Sequence, residues 1–90
     1  MNKAIITVVG QDTVGIIARV CTYLSDRNVN VLDISQTIID GFFNMMMIVD
    51  VAGSETEFGA MVDGLEALGE EIGVRIRCQK EEIFTKMHRV

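Results

Sequence analysis

The stretch Asn30-Val31-Leu32-Asp33-Ile34-Ser35-Gln36-Thr37-Ile38-Ile39-Asp40-Gly41-Phe42-Phe43-Asn44-Met45-Met46-Met47-Ile48-Val49-Asp50-Val51 reads as two strands folded about Asp40-Gly41. Asp-Gly suits a two-residue type I′ turn, in which both central residues take positive φ. The turn then predicts the register: Ile39 faces Phe42, Ile38 faces Phe43, Gln36 faces Met45, Ile34 faces Met47 and Leu32 faces Val49. One face of the hairpin is nearly all apolar and is expected to meet the helices, with Gln36 as a buried amide in need of partners. The opposite face mixes Asp33, Ser35, Thr37, Asn44 and Asp50 with Val31, Ile39, Phe42, Met46 and Ile48, which is greasier than a purely solvated surface requires.

Before the hairpin, residues 3 to 9 are β-branched nearly throughout and read as a covered strand. From Val14 to Asp26, Ile17, Val20, Cys21 and Leu24 recur at three- and four-residue steps, with Asp12 or Thr13 as N-cap and Asn28 as the stop, giving an amphipathic helix. After the hairpin, Ser54-Glu55-Thr56-Glu57 has the form of a capping box. Phe58, Met61, Leu65, Leu68 and Ile72 then trace one helical stripe ending near Gly73. Gly59, Gly64 and Gly69 lie inside this helix at about 1 kcal/mol each relative to alanine, which points to close backbone approach or to local flexibility. Val74, Ile76 and Cys78 alternate with Arg75, Arg77 and Gln79 as a half-exposed last strand. An acidic start and a basic end with Ile83, Phe84 and Met87 on one side predict a short terminal helix over 81–90.

The order strand, helix, strand, strand, helix, strand predicts an α+β, ferredoxin-like βαββαβ sandwich. It is a four-stranded antiparallel sheet with two helices on one face plus a short C-terminal helix, a single domain over residues 1–90. In that topology the second strand lies at an edge of the sheet, where it invites pairing with the same edge of a second copy, so a homodimer is expected.

Composition narrows the function. Ninety residues close one modest core and leave no room for a second domain. A net charge of −5 with no basic face argues against direct binding of nucleic acid. No apolar run reaches the length of a membrane span and no signal peptide precedes the first strand, so no membrane association and a cytoplasmic setting are expected. Cys21 and Cys78 form no metal or redox motif and read as small apolar residues. His88 reads as a solvated tail residue, and alternation sends Met46 to the face opposite Met45 and Met47, so neither a metal nor a cofactor is expected.

The chemistry-bearing segment is Gly10-Gln11-Asp12-Thr13-Val14-Gly15-Ile16, where the first strand gives way to the helix. Two readings are open for it. Asp12 caps the helix through the amides of Val14 or Gly15, worth about 1 kcal/mol. Alternatively, a small zwitterion lays its carboxylate on the amides of Thr13 to Gly15 and its ammonium on Asp12, with Gly10 and Gly15 allowing close approach.

Gly10-x-Asp12-x-x-Gly15-Ile16-Ile17-Ala18, followed by Asn28-Val29-Asn30-Val31 and Asp33-Ile34-Ser35-Gln36, resembles the ACT domain, the small-molecule-sensing module of amino-acid metabolism. The resemblance covers nearly the whole chain. It is closest to free-standing single-ACT proteins and to the ACT segments of glycine-cleavage repressor-like regulators and formyltetrahydrofolate deformylase. It implies a side-by-side dimer that binds an amino acid at its interface, with ligand contacts from Gly10, Gln11, Asp12, Thr13, Val14 and Gly15 of one subunit and Asn30 of its neighbour. Asn30 also reads as an ordinary turn residue at a strand entry. Many members carry proline before the glycine, where this chain has Val14, which leaves one more N–H for a ligand.

An enzyme is the weaker alternative. Acylphosphatases share the βαββαβ order, but they use an arginine in the loop, and here residues 10 to 16 contain none while Arg19 falls on the helix. No nucleophile and base are paired. The remaining alternative to a small-molecule sensor is a protein-interaction or oligomerisation module without a small-molecule ligand, which shares every feature except the loop.

Overall fold

The computed structural model describes residues 2–82 and contains β1 (Lys3–Gln11), α1 (Ile16–Asp26), β2 (Asn30–Ile39), β3 (Phe42–Asp50), α2 (Phe58–Ile72) and β4 (Val74–Lys80). The strands form one sheet in the order β2-β3-β1-β4, antiparallel at every pairing. This is the ferredoxin-like βαββαβ arrangement expected from the order of elements. The terminal helix read over 81–90 falls outside the described residues except for Glu81 and Glu82, which are helical, and His88 lies outside them too.

Asp40 and Gly41 have φ of 52° and 78°, as a type I′ turn demands. The register holds through Ile39–Phe42, Ile38–Phe43, Gln36–Met45 and Ile34–Met47, then breaks. Val31, not Leu32, pairs with Val49, across a bulge between Val31 and Asp33. The extra residue resets the side-chain alternation, so that Val31 joins the core alongside Val29, and Leu32 is left 40% exposed.

Between sheet and helices, β3 gives Phe43, Met45, Met47 and Val49, β1 gives Ala4, Ile6 and Val8, and β4 gives Val74, Ile76 and Cys78. Ile16, Val20 and Leu24 of α1 and Met61, Leu65 and Leu68 of α2 close this core. The two helices leave β2 bare: Ile34 and Ile38, on its helix-side face, are 40% and 57% exposed. Gln36 is likewise exposed rather than buried, so its amide needs no internal partner.

The capping box before α2 does not form. Ser54 spends its hydroxyl on Thr56, accepting from the Thr56 N–H and donating to its carbonyl, both at 3.1 Å, and Glu57 becomes the cap residue without a side-chain bond. The glycines of α2 divide by cause. A Cβ on Gly64 would run into Tyr23 Oη, and one on Gly69 would lie 2.6 Å from the Val74 carbonyl oxygen, whereas at Gly59 the nearest atom is 3.7 Å away.

Candidate functional site

The turn between β1 and α1 is held from two sides. The last β1 residue, Gln11, pairs with Phe42, and the next amide, Asp12 N–H, donates to the Gly41 carbonyl at 2.9 Å. Thr13 donates its hydroxyl to the Gln11 carbonyl at 3.2 Å, and Val14 stands fully exposed. Gly15 then turns the chain into the helix with φ 91° and ψ 2°, a left-handed conformation that glycine adopts without steric cost.

Gly15 is therefore the N-cap, and the first helical bond runs from Arg19 N–H to the Gly15 carbonyl at 2.9 Å. Neither Asp12 nor Thr13 caps the helix: no side chain bonds to its first turn. The physical reason is position, because a helix starting at Ile16 puts Asp12 three residues before the cap. Among the described residues the N–H groups of Ile16, Ile17 and Ala18 consequently have no acceptor, and they point along the positive end of the helix dipole. Residue-type preference for Asp and Thr at N-cap hides them in the sequence. Glycine's own acceptability as an N-cap is the signal that finds them.

Gly10 has a packing explanation. A Cβ there would lie 2.8 Å from Val74 Cγ1 and 3.0 Å from Val74 Cα, so the close approach it allows is to β4. Asp12 and Gln11 are exposed, and the Asp12 carboxylate carries no hydrogen bond among the described residues. The turn thus carries an exposed, uncommitted carboxylate at Asp12, four residues before a short run of free amides that begins at Ile16.

Asn30 lies elsewhere. It begins β2 and pairs with Asp50, which in turn pairs with Lys3, whereas the turn sits at the end of the sheet marked by Gln11, Phe42 and Ile39. Eight residue steps separate the two ends, about 26 Å of strand, so Asn30 cannot join the turn of its own chain. Asn30 instead edges a shallow groove with Cys21, Ser25 and Asn28, and Asn28, at φ 59°, donates its amide to the Gly53 carbonyl at 2.8 Å.

Both cysteines are free; Cys78 is buried, and burial pushes its thiol up to about 11. Among the described residues no three His, Cys, Asp or Glu side chains are grouped as metal ligands, and no helix is long and apolar enough to cross a membrane.

Comparison with known proteins gives a consistent picture. The ACT domain family matches residues 2–79. The chain is 82% identical over all 90 residues to a UPF0237 protein of Bifidobacterium longum, covering that protein entirely. An ACT domain protein from Streptococcus pneumoniae superposes with a TM-score of 0.81 at 40% identity, with 92% of this chain and 93% of that one covered. A putative glycine cleavage system transcriptional repressor superposes at 0.73 with 20% identity, over 88% of this chain and 45% of its own, a likeness of fold alone.

Proposed function

The chain belongs to the ACT domain family, and on that premise we propose that it is an amino-acid-binding regulatory module that works as a homodimer in the cytoplasm. ACT domains are in general regulatory modules that bind amino acids. The observation that supports the reading here is the turn itself, which carries free amides at Ile16 to Ala18 and, four residues before them, the exposed Asp12 carboxylate. An amino-acid carboxylate would accept from those amides, a setting worth about 0.3–2 kcal/mol from the dipole, while its ammonium meets Asp12.

The dimeric part of the reading is supported by β2. It is an edge strand left uncovered by the helices, with Leu32, Ile34 and Ile38 all at least 40% exposed. Pairing of two β2 edges about a two-fold axis runs the strands antiparallel, and the start of one then lies beside the end of the other. Asn30 of the second copy would thereby reach the end of the sheet where the turn sits, although Asn30 of the same chain cannot. Its amide offers both a donor and an acceptor to a zwitterion. Free thiols at Cys21 and Cys78 fit a reducing compartment.

Thermal unfolding and calorimetry against the twenty amino acids test this. A saturable stabilisation by one or a few of them is expected, weakened at least tenfold by Asp12→Ala and by Asn30→Ala. No thermal shift and no heat from any amino acid, with a dimeric mass retained, would replace the sensor with an interaction module that uses the same exposed edge.

A further inference from the structure

Both helices pack on one face of the sheet, and the other face carries a distinct pattern. In the rows of the sheet, Arg75 pairs through Val9 and Asn44 to Thr37, and Arg77 through Thr7 and Met46 to Ser35. Val9 is 48% exposed and Met46 40%, and at the hairpin end Ile39 and Phe42 reach 61% and 57%. Ile5, in the row of Asp33, is only 6% exposed, so the open part of this face is the half nearer the hairpin. Between the β4 arginines and β2 its side chains are mostly apolar or short, Val9, Met46, Ile39 and Phe42 with Thr7, Ser35, Thr37 and Asn44, a composition that lets two sheets approach to about 10 Å.

Apart from Lys3 on β1 and Asp50 on β3, which share the row furthest from the hairpin, the charges on this face are separated by strand. Arg75 and Arg77 stand on β4, at one margin, and Asp33 stands on β2, at the other; all three are exposed, and none has an ion pair among the described residues. From this we infer that the face docks on the same face of a second copy, about a two-fold axis parallel to the strands. That axis keeps each row in register and reverses the strand order, so β4 of one copy lies over β2 of the other. Arg77 then sits over Ser35 of the second copy, one same-face step of about 7 Å from its Asp33, within the reach of an arginine side chain. A two-fold axis across the strands would instead stack Arg75 and Arg77 on themselves. The charge pattern therefore selects one of the two ways in which the face can meet itself.

This contact is separate from β2 edge pairing and does not depend on any ligand. If both form, four chains assemble; if the face alone pairs, two do. Light scattering of the full chain, compared at equal concentration with Met46→Lys, Arg77→Asp and the exchange Arg77→Asp/Asp33→Arg, tests it. The expected result is a halved mass in both single variants and the wild-type mass restored in the exchange. Arg77→Asp replaces an exposed side chain outside the core, and its circular dichroism and urea midpoint check the fold, so it decides the matter should Met46→Lys fail to fold. A wild-type mass retained by Arg77→Asp overturns the inference, as does an exchange that fails to restore it. A lowered urea midpoint in Met46→Lys with no change of mass also overturns it, and shows the face to be covered by the chain's own residues.

Discussion

The amide of Asp12 donates to the carbonyl of Gly41 at 2.9 Å, so the turn that opens α1 is tied to the tip of the β2–β3 hairpin. Two segments distant in sequence thus share one end of the sheet. Gly41 has φ 78° with open space where a Cβ would stand, so Gly41→Ala meets backbone strain and no clash. It is expected to cost about 1–2 kcal/mol. Hydrogen exchange at the Asp12 amide should accelerate relative to the core amides of β1. An unchanged rate would mean that the hairpin tip does not hold the turn.

Asp12 separates the two accounts of the turn. An Asp that caps a helix costs about 1 kcal/mol when removed, but here the cap is Gly15 and the Asp12 side chain supports no helical amide. Asp12→Ala is therefore expected to change stability by less than about 0.5 kcal/mol. Gly15→Ala, forced into φ 91°, should cost about 1–2 kcal/mol, and Gly15→Asn less, because Asn tolerates the left-handed region and can supply a side-chain cap. Urea titrations of the three variants check the order. A loss at Asp12 as large as that at Gly15 would restore the aspartate cap.

Within α2, one substitution type should give three different results. Gly59→Ala meets no close neighbour and is expected to gain up to about 1 kcal/mol from helix propensity alone. At Gly64 the added carbon meets Tyr23 Oη, the end of a ring stacked on Arg27 at 3.5 Å from its centroid, so the gain is offset by displacement of that pair. At Gly69 it meets the Val74 carbonyl and Ile76 N at 2.6 and 3.2 Å, backbone that cannot yield without shifting β4, and a loss of about 1–3 kcal/mol is expected. Equal effects at the three positions, read from urea midpoints, would contradict the packing of α2 on β4.

These residues also mark how far the sequence can be read. Asp40-Gly41 is legible because its chemistry is local: two adjacent residues at positive φ admit few alternatives. The apolar stripe of α2 is legible for the same reason, since Met61, Leu65 and Leu68 announce their face by spacing. The bulge at Leu32 is not, because it arises from placing Val29 and Val31 against the core, a tertiary demand. Nor is the start of α1, where the preference of Asp and Thr for caps points three residues too early. The bare β2 is invisible as well, since the exposure of Gln36 and Ile38 depends on where the helices lie across the sheet. Of the candidate site, the turn is legible as a segment, while its free amides and its distance from Asn30 follow only from the fold.

Cys78 supplies a pH dependence with a definite sign. It is 6% exposed between β1 and α2, and burial pushes its thiol from 9.0 up to about 11. Below pH 9 the thiol is protonated whether the chain is folded or not, and its contribution to stability is fully present. Between pH 9 and 11 the unfolded chain gives up the proton and the folded one retains it. Unfolding is then favoured by about 1.4 kcal/mol per pH unit, for a loss on the order of 2–3 kcal/mol by pH 11. Cys78→Ala leaves a cavity and lowers stability at every pH, but it removes this slope. Unfolding free energies from urea titrations between pH 8 and 11 should therefore converge for the wild type and the variant as pH rises. Cys21, half-buried on α1, should react with a thiol reagent in the folded protein at pH 8, and Cys78 only after unfolding. Parallel pH curves, or equal labelling of both thiols in the native state, would show that Cys78 is not held protonated in the core.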